Sequence, residues 1–101
     1  GVYTMERLEG AIAGFLLTAN FFTAMYMTMI LIFGDATFNI PVTKVESINH
    51  FSFITITTVG YGDIVPVHPF VRSLSNLEAV VGQLYPAVLI ARLISLDTAK
   101  K

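Results

Sequence analysis

Apolar residues along this chain gather into two long blocks with a mixed stretch between them. From Gly10 to Gly34 there are 25 residues without a charge. As an α-helix rising ~1.5 Å per residue, such a run reaches ~37 Å, more than the ~30 Å hydrocarbon core of a bilayer. A secretory signal core is only ~7–15 residues long, so the block reads as a retained span, an outer helix over about 8–33. Thr18, Asn20, Thr23 and Thr28 lie within it. Unsatisfied polar groups in hydrocarbon are costly, so these side chains are expected to face protein. The second block, Phe70–Leu96, predicts an inner helix over about 70–96. Arg72 near its start and Arg92 near its end can reach the two interfaces. Glu78 stands about two turns in and is expected to face protein.

The stretch between the blocks, Asp35–Pro69, is too long for a tight turn and too polar for a third full span. Gly34–Asp35–Ala36–Thr37 and Pro41 read as an exposed loop. Thr43–Lys44–Val45–Glu46 has the spacing of a capping box, threonine followed three residues later by glutamate. A short helix over about 45–57 is expected after it, ~20 Å long and able to enter a membrane only part way. Non-helical backbone follows at Val59–Gly60–Tyr61–Gly62–Asp63. At membrane depth such backbone is tolerated only inside protein or facing a water-filled pathway.

Composition sharpens this picture. Charged residues are 13% of the chain and apolar ones 54%, with a mean hydropathy of +0.71. A soluble domain carries about 25% charge, so the class is a small integral membrane protein. Six Lys+Arg against seven Asp+Glu give a net charge of -1, which argues against nucleic acid as a partner. Without cysteine there is no disulfide, thiolate catalysis or zinc–thiolate site. The two histidines and seven carboxylates form no nucleophile–base or metal-ligand constellation, so no enzyme is expected. With both termini cytoplasmic, Arg7, Arg92, Lys100 and Lys101 fall inside, and Lys44 and Arg72 outside. No helix repeats arginine at every third position.

Gly60 and Gly62 stand at alternate positions. An extended strand points successive carbonyls to opposite sides. Aiming them along one axis requires alternate residues with left-handed backbone values, which glycine accepts without a Cβ clash. On its own, Gly-x-Gly is equally a β-turn.

The seven residues Thr57–Thr58–Val59–Gly60–Tyr61–Gly62–Asp63 resemble the selectivity filter of potassium channels. The region from about 10 to 96 resembles the two-span pore module of that family, of prokaryotic type. The resemblance implies an all-α membrane fold, two transmembrane helices with a re-entrant pore helix (45–57) and a filter (58–62). It implies a homotetramer, each chain with three identical subunits around one pathway in a cell membrane. Potassium ions would be bound by carbonyls of Thr58, Val59, Gly60 and Tyr61, with Gly62 completing the filter and the Thr58 hydroxyl adding an innermost ring. Thr57 would face an aqueous cavity at the negative end of the pore helix. Asp63 would form an acidic ring at the outer mouth. Many relatives hold this aspartate with a tryptophan; His50 and Phe51 stand there here, so His50 is expected to contact Asp63. Tyr61 would turn into a packed collar, with Thr55 of a neighbouring chain as hydroxyl partner. A glutamate found behind the filter in some relatives is replaced by Ile54. Glu78 is expected to reach Ser52 or Thr55, as a functional carboxyl or as a neutral structural hydrogen bond.

Gly82 falls where the resemblance places the inner-helix gating glycine, with Pro86 one turn later. Both weaken the same turn and predict a kink; the alternative for Gly82 is close helix packing. Gln83, Pro86, Ile90 and Ile94 share one stripe that would line the cavity and lower pore, or else face lipid or a neighbour. The function implied is passive potassium conduction. A non-selective cation channel, a potassium transporter subunit and a non-conducting membrane subunit are the alternatives; Tyr61 between intact glycines and the single module argue against the first two. Five residues follow Leu96 and no methionine precedes Val2, so the chain reads as a pore excised from a larger protein whose regulatory part lies elsewhere.

Overall fold

The computed structural model describes residues 2–42 and 44–99. Among these residues it forms α1 (Val2–Phe33), a 3-10 turn at Gly34–Ala36, α2 (Val45–Ile56) and α3 (Pro69–Ala99). The spans are longer than the apolar blocks alone predict. α1 begins at Val2 rather than near residue 8, because glutamate, arginine and leucine around the start are good helix formers. α3 starts on Pro69, whose fixed φ and missing N–H suit the first helical position. It stays helical through Gly82 and Pro86.

α2 matches the expected short helix, with Thr57 as its C-cap. Its N-cap is Lys44, in extended backbone and without a side-chain cap bond. The threonine of the expected capping box, Thr43, lies outside the described residues.

α1 and α3 run antiparallel. Tyr85 meets Ala11, Tyr26 meets Glu78, and Phe33 packs beside Phe70. At the loop end, the His68 ring stacks on Phe33 at 3.8 Å between centroids, and its Nδ1 accepts from the Phe70 N–H, which otherwise has no partner at a helix start. Gly34, at φ +61°, turns the chain out of α1, and the Thr37 hydroxyl donates to its carbonyl at 2.7 Å.

α2 wedges between the spans near this end. Ile48, Ser52 and Ile56, at four-residue spacing, are fully buried along one of its faces. Beside them Phe51 packs edge-on against Tyr26 and Phe38, each at 5.1 Å. Phe22, Ile64, Val71 and Leu74 complete this aromatic core. The remainder of both spans presents apolar side chains outward; Leu31 is 86% exposed, and Leu17, Phe21, Val80 and Val88 are also exposed. Two segments, Met5–Ala36 and Pro69–Ser95, are long and apolar enough to cross a membrane. Such outward apolar cover suits lipid or further protein, not water.

The polar residues within the first span divide into two groups. Thr23 is buried and reaches Asn49 of α2 at 3.1 Å, and Thr18 is half-buried. Asn20 and Thr28 are exposed on the single chain. Thr18 and Thr28 satisfy their hydroxyls on the carbonyls four residues back, so neither needs a tertiary partner.

Gly82 is buried against the end of α2. A Cβ built there would stand 1.7 Å from the Ile56 carbonyl oxygen, a backbone atom that cannot swing aside. Gly82→Ala is therefore expected to cost at least the ~1–3 kcal/mol typical of overpacking. Gly10, with nothing within 4 Å of its Cβ position, serves as control. Gly10→Ala should stabilise its helix by about 1 kcal/mol. Denaturant unfolding in detergent checks both, and equal midpoints would refute the close contact.

Candidate functional site

The C-terminal end of α2 passes directly into the glycine-containing segment. The Thr57 N–H donates to Phe53 O at 3.1 Å, Thr58 N–H to Thr55 O at 3.0 Å and Gly60 N–H to Ile54 O at 3.0 Å. These bonds fold the segment back on the helix end and satisfy carbonyls that a terminating helix leaves open. The Thr57 hydroxyl donates to Phe53 O at 2.6 Å.

Backbone handedness alternates along the segment. Thr58, Gly60 and Gly62 have φ of 61°, 62° and 82°. For the glycines this costs no steric energy. Thr58 is the one non-glycine residue with positive φ among those described, and a β-branched residue there carries strain of about 1–3 kcal/mol. Residues 57–63 are all exposed on the single chain, Tyr61 to 71%. A hollow of about 380 Å³ behind them is lined by Phe51, Ile54, Thr55, Thr58 and Gly60, and by Gln83 from α3.

Beyond Gly62, two groups hold the chain. His50 Nε2 lies 3.3 Å from Asp63 Oδ2. The His50 ring also lies almost parallel to that of Tyr61, at 5.9 Å. On the other side Asn39 clasps the segment. Its N–H donates to Val65 O at 2.8 Å, and its Oδ1 accepts from the Val65 N–H at 2.9 Å. Its Nδ2 reaches Asp63 O at 3.5 Å. The Val67 N–H donates to Thr37 O at 3.0 Å, and Phe38 and Pro66 form an antiparallel bridge. The loop after α1 is thus a short template strand for the chain leaving residues 57–63.

Glu78 is fully buried and contacts Ser52 of α2 and Tyr26 of α1. Thr55 does not join it; its hydroxyl donates to Phe51 O at 2.8 Å. Gln83, Pro86, Ile90 and Ile94 are exposed on α3. Of these, Gln83 alone lines the hollow behind the glycines. Gly82 faces the α2 terminus.

Two long apolar helices, a half-length helix between them and an exposed loop of alternating handedness now stand together. The sequence model of a family described as "Ion channel" matches residues 37–97, more than half the chain. The chain belongs to this ion-channel family. The channel is also similar to the potassium voltage-gated channel protein shk-1 of Caenorhabditis elegans, 39% identical over 46 residues. That match covers 46% of this chain and 9% of the relative, so the channel spans a small part of that protein's length. The family is one of ion channels rather than of enzymes, and the two apolar helices make it a membrane protein.

Three features of the site escaped the sequence reading. Asn39 carries no local motif, and its partner is 26 residues away. Tyr26 sits inside an apolar block and reads as span filler. The left-handed Thr58 had a signal: counting back by two from Gly62 and Gly60 lands on it. Removing the clasp tests its importance. Asn39→Ala leaves the Val65 N–H without its side-chain acceptor, a loss of roughly 1–3 kcal/mol of local protection. Hydrogen exchange should rise about 5- to 150-fold at Val65 and stay unchanged at Ile48 and Ser52 in α2. Equal protection at Val65 in both proteins would remove Asn39 from the site.

Proposed function

We propose that this channel conducts potassium selectively and passively, as a homotetramer whose four copies of residues 58–62 surround one axis. The carrying observation is the left-handed backbone at Thr58, Gly60 and Gly62, on an exposed segment at the carbonyl end of α2. Alternating handedness is what a chain needs to present successive carbonyls to one side. Carbonyls of Thr58, Val59, Gly60 and Tyr61 would replace the hydration shell of potassium ions, and a smaller ion gains less from the same ligands. The negative end of the α2 dipole favours a cation beside Thr57 and Thr58. Exposed irregular backbone is not tolerated in lipid, which supports burial among further copies. One chain supplies one strand, so closure calls for cyclic symmetry. The potassium in the relative's name agrees with this reading.

In this reading Asp63 concentrates cations at the outer mouth, and Tyr61 packs into a collar against a neighbour's Thr55. Gln83, Pro86, Ile90 and Ile94 line the inner pathway, and Gly82 with Pro86 forms its bending point. Both termini face the cytoplasm, as the lysine and arginine distribution favours.

Purified protein in liposomes decides the selectivity. Potassium efflux should exceed sodium efflux at least ~100-fold, a discrimination of about 2.7 kcal/mol, and barium should block it. Equal fluxes would make it a non-selective cation channel, and no flux a non-conducting subunit. The outer contact adds a second test. His50→Phe keeps a ring beside Tyr61 but removes the nitrogen 3.3 Å from Asp63, so it should lower the potassium-over-sodium flux ratio; an unaltered ratio would exclude the contact from filter support.

A further inference from the structure

Glu78 sits within α3 at a depth where carboxyls are rare, and none of it is exposed. Its partners are hydroxyls from the other two helices. The Tyr26 hydroxyl of α1 is 2.8 Å from Oε1, and the Ser52 Oγ of α2 is 2.5 Å from Oε2. Ser52 Oγ also lies 2.8 Å from the Ala19 carbonyl oxygen in α1. Tyrosine and serine own one hydroxyl hydrogen each, and a carbonyl only accepts. Ser52 Oγ is in reach of both Glu78 Oε2 and Ala19 O, which also accepts from the Thr23 hydroxyl at 3.0 Å. Three oxygen–oxygen contacts thus share two hydroxyl hydrogens, and a carboxyl proton supplies the third when the Ser52 hydrogen goes to Ala19 O. An ionised carboxylate with only hydroxyl partners would also bear a large desolvation cost.

We propose that Glu78 is held as the neutral acid and is a positioning residue for the filter: Tyr26 donates to Glu78, Glu78 to Ser52, and Ser52 to Ala19. This run of hydrogen bonds starts and ends on α1 and joins all three helices. Ser52 is the buried polar residue on the inward face of α2, and residues 58–60 hang from the last turn of that helix through Thr55 O and Ile54 O. A shift of α2 therefore moves the backbone that faces the ions. The positioning half of the proposal rests on the potassium-channel reading; the place of the proton does not.

The test uses the full chain in lipid. The infrared spectrum at neutral pH should contain the carbonyl stretch of a protonated, slowly exchanging carboxyl, and Glu78→Gln should lose that band. Loss of carboxylate bands instead would overturn the neutral acid. Glutamine offers one donor and one acceptor in place of the acid, so Glu78→Gln should keep the potassium-over-sodium flux ratio within about twofold. Tyr26→Phe and Ser52→Ala each remove a single hydroxyl and should lower the ratio more than they lower the total ion flux. If all three variants keep the wild-type ratio, Glu78 holds the scaffold alone and positioning is refuted. A wild-type protein that passes no potassium would instead defeat the proposed function, while the infrared band still assigns the proton.

Discussion

The organisation of this chain follows from one constraint: a backbone N–H or C=O at membrane depth must find a partner. Within α1 and α3 the helical ladder satisfies it locally. Between residues 57 and 68 there is no such ladder, and the chain solves the problem piecemeal. The first amides donate back to the last carbonyls of α2, and Val65 and Val67 pair with the loop after α1. The backbone outside the helices is thereby confined between these two anchors, with Tyr61 and Gly62 exposed on the single chain.

That confinement depends on a short helix being held firmly. α2 has only twelve residues, too few to be stable by propensity alone. Its stability is tertiary. Phe51 locks into the aromatic cluster with Tyr26 and Phe38, Ile56 seats against a glycine that lets α3 approach its carbonyl, and Ser52 and Asn49 make polar ties to α1. Apolar contact supplies most of the energy and the hydrogen bonds supply the register. A greasy helix between two greasy helices has many nearly equal rotations, and a buried hydroxyl tolerates few of them.

The half of the site beyond Gly62 is built differently. Its residues are exposed, and they act through side-chain contacts: His50 on Asp63, His50 beside Tyr61, Asn39 on Val65. Buried Ile64 and the Phe38–Pro66 bridge anchor this layer to the core beneath. Backbone strain sits at the Thr58 end and side-chain contacts hold the Asp63 end, so the two ends of residues 58–62 are held by unlike forces.

Much of this was readable from residue order. Two apolar blocks of spanning length, a short helix between them and alternate glycines all depend on neighbours within a few positions, where pattern and backbone sterics are decisive. The seven residues from Thr57 to Asp63 marked the site for the same reason. Tertiary structure decided what depends on distant partners. It showed that Glu78 turns to Ser52 and Tyr26 and not to Thr55, that Gly82 is emptied of a side chain by the carbonyl of Ile56, and that Asn39 clasps a segment 26 residues away. A hydroxyl or amide looks alike in sequence whatever it bonds to. Only the packing of three helices brings one particular acceptor within reach and excludes the rest.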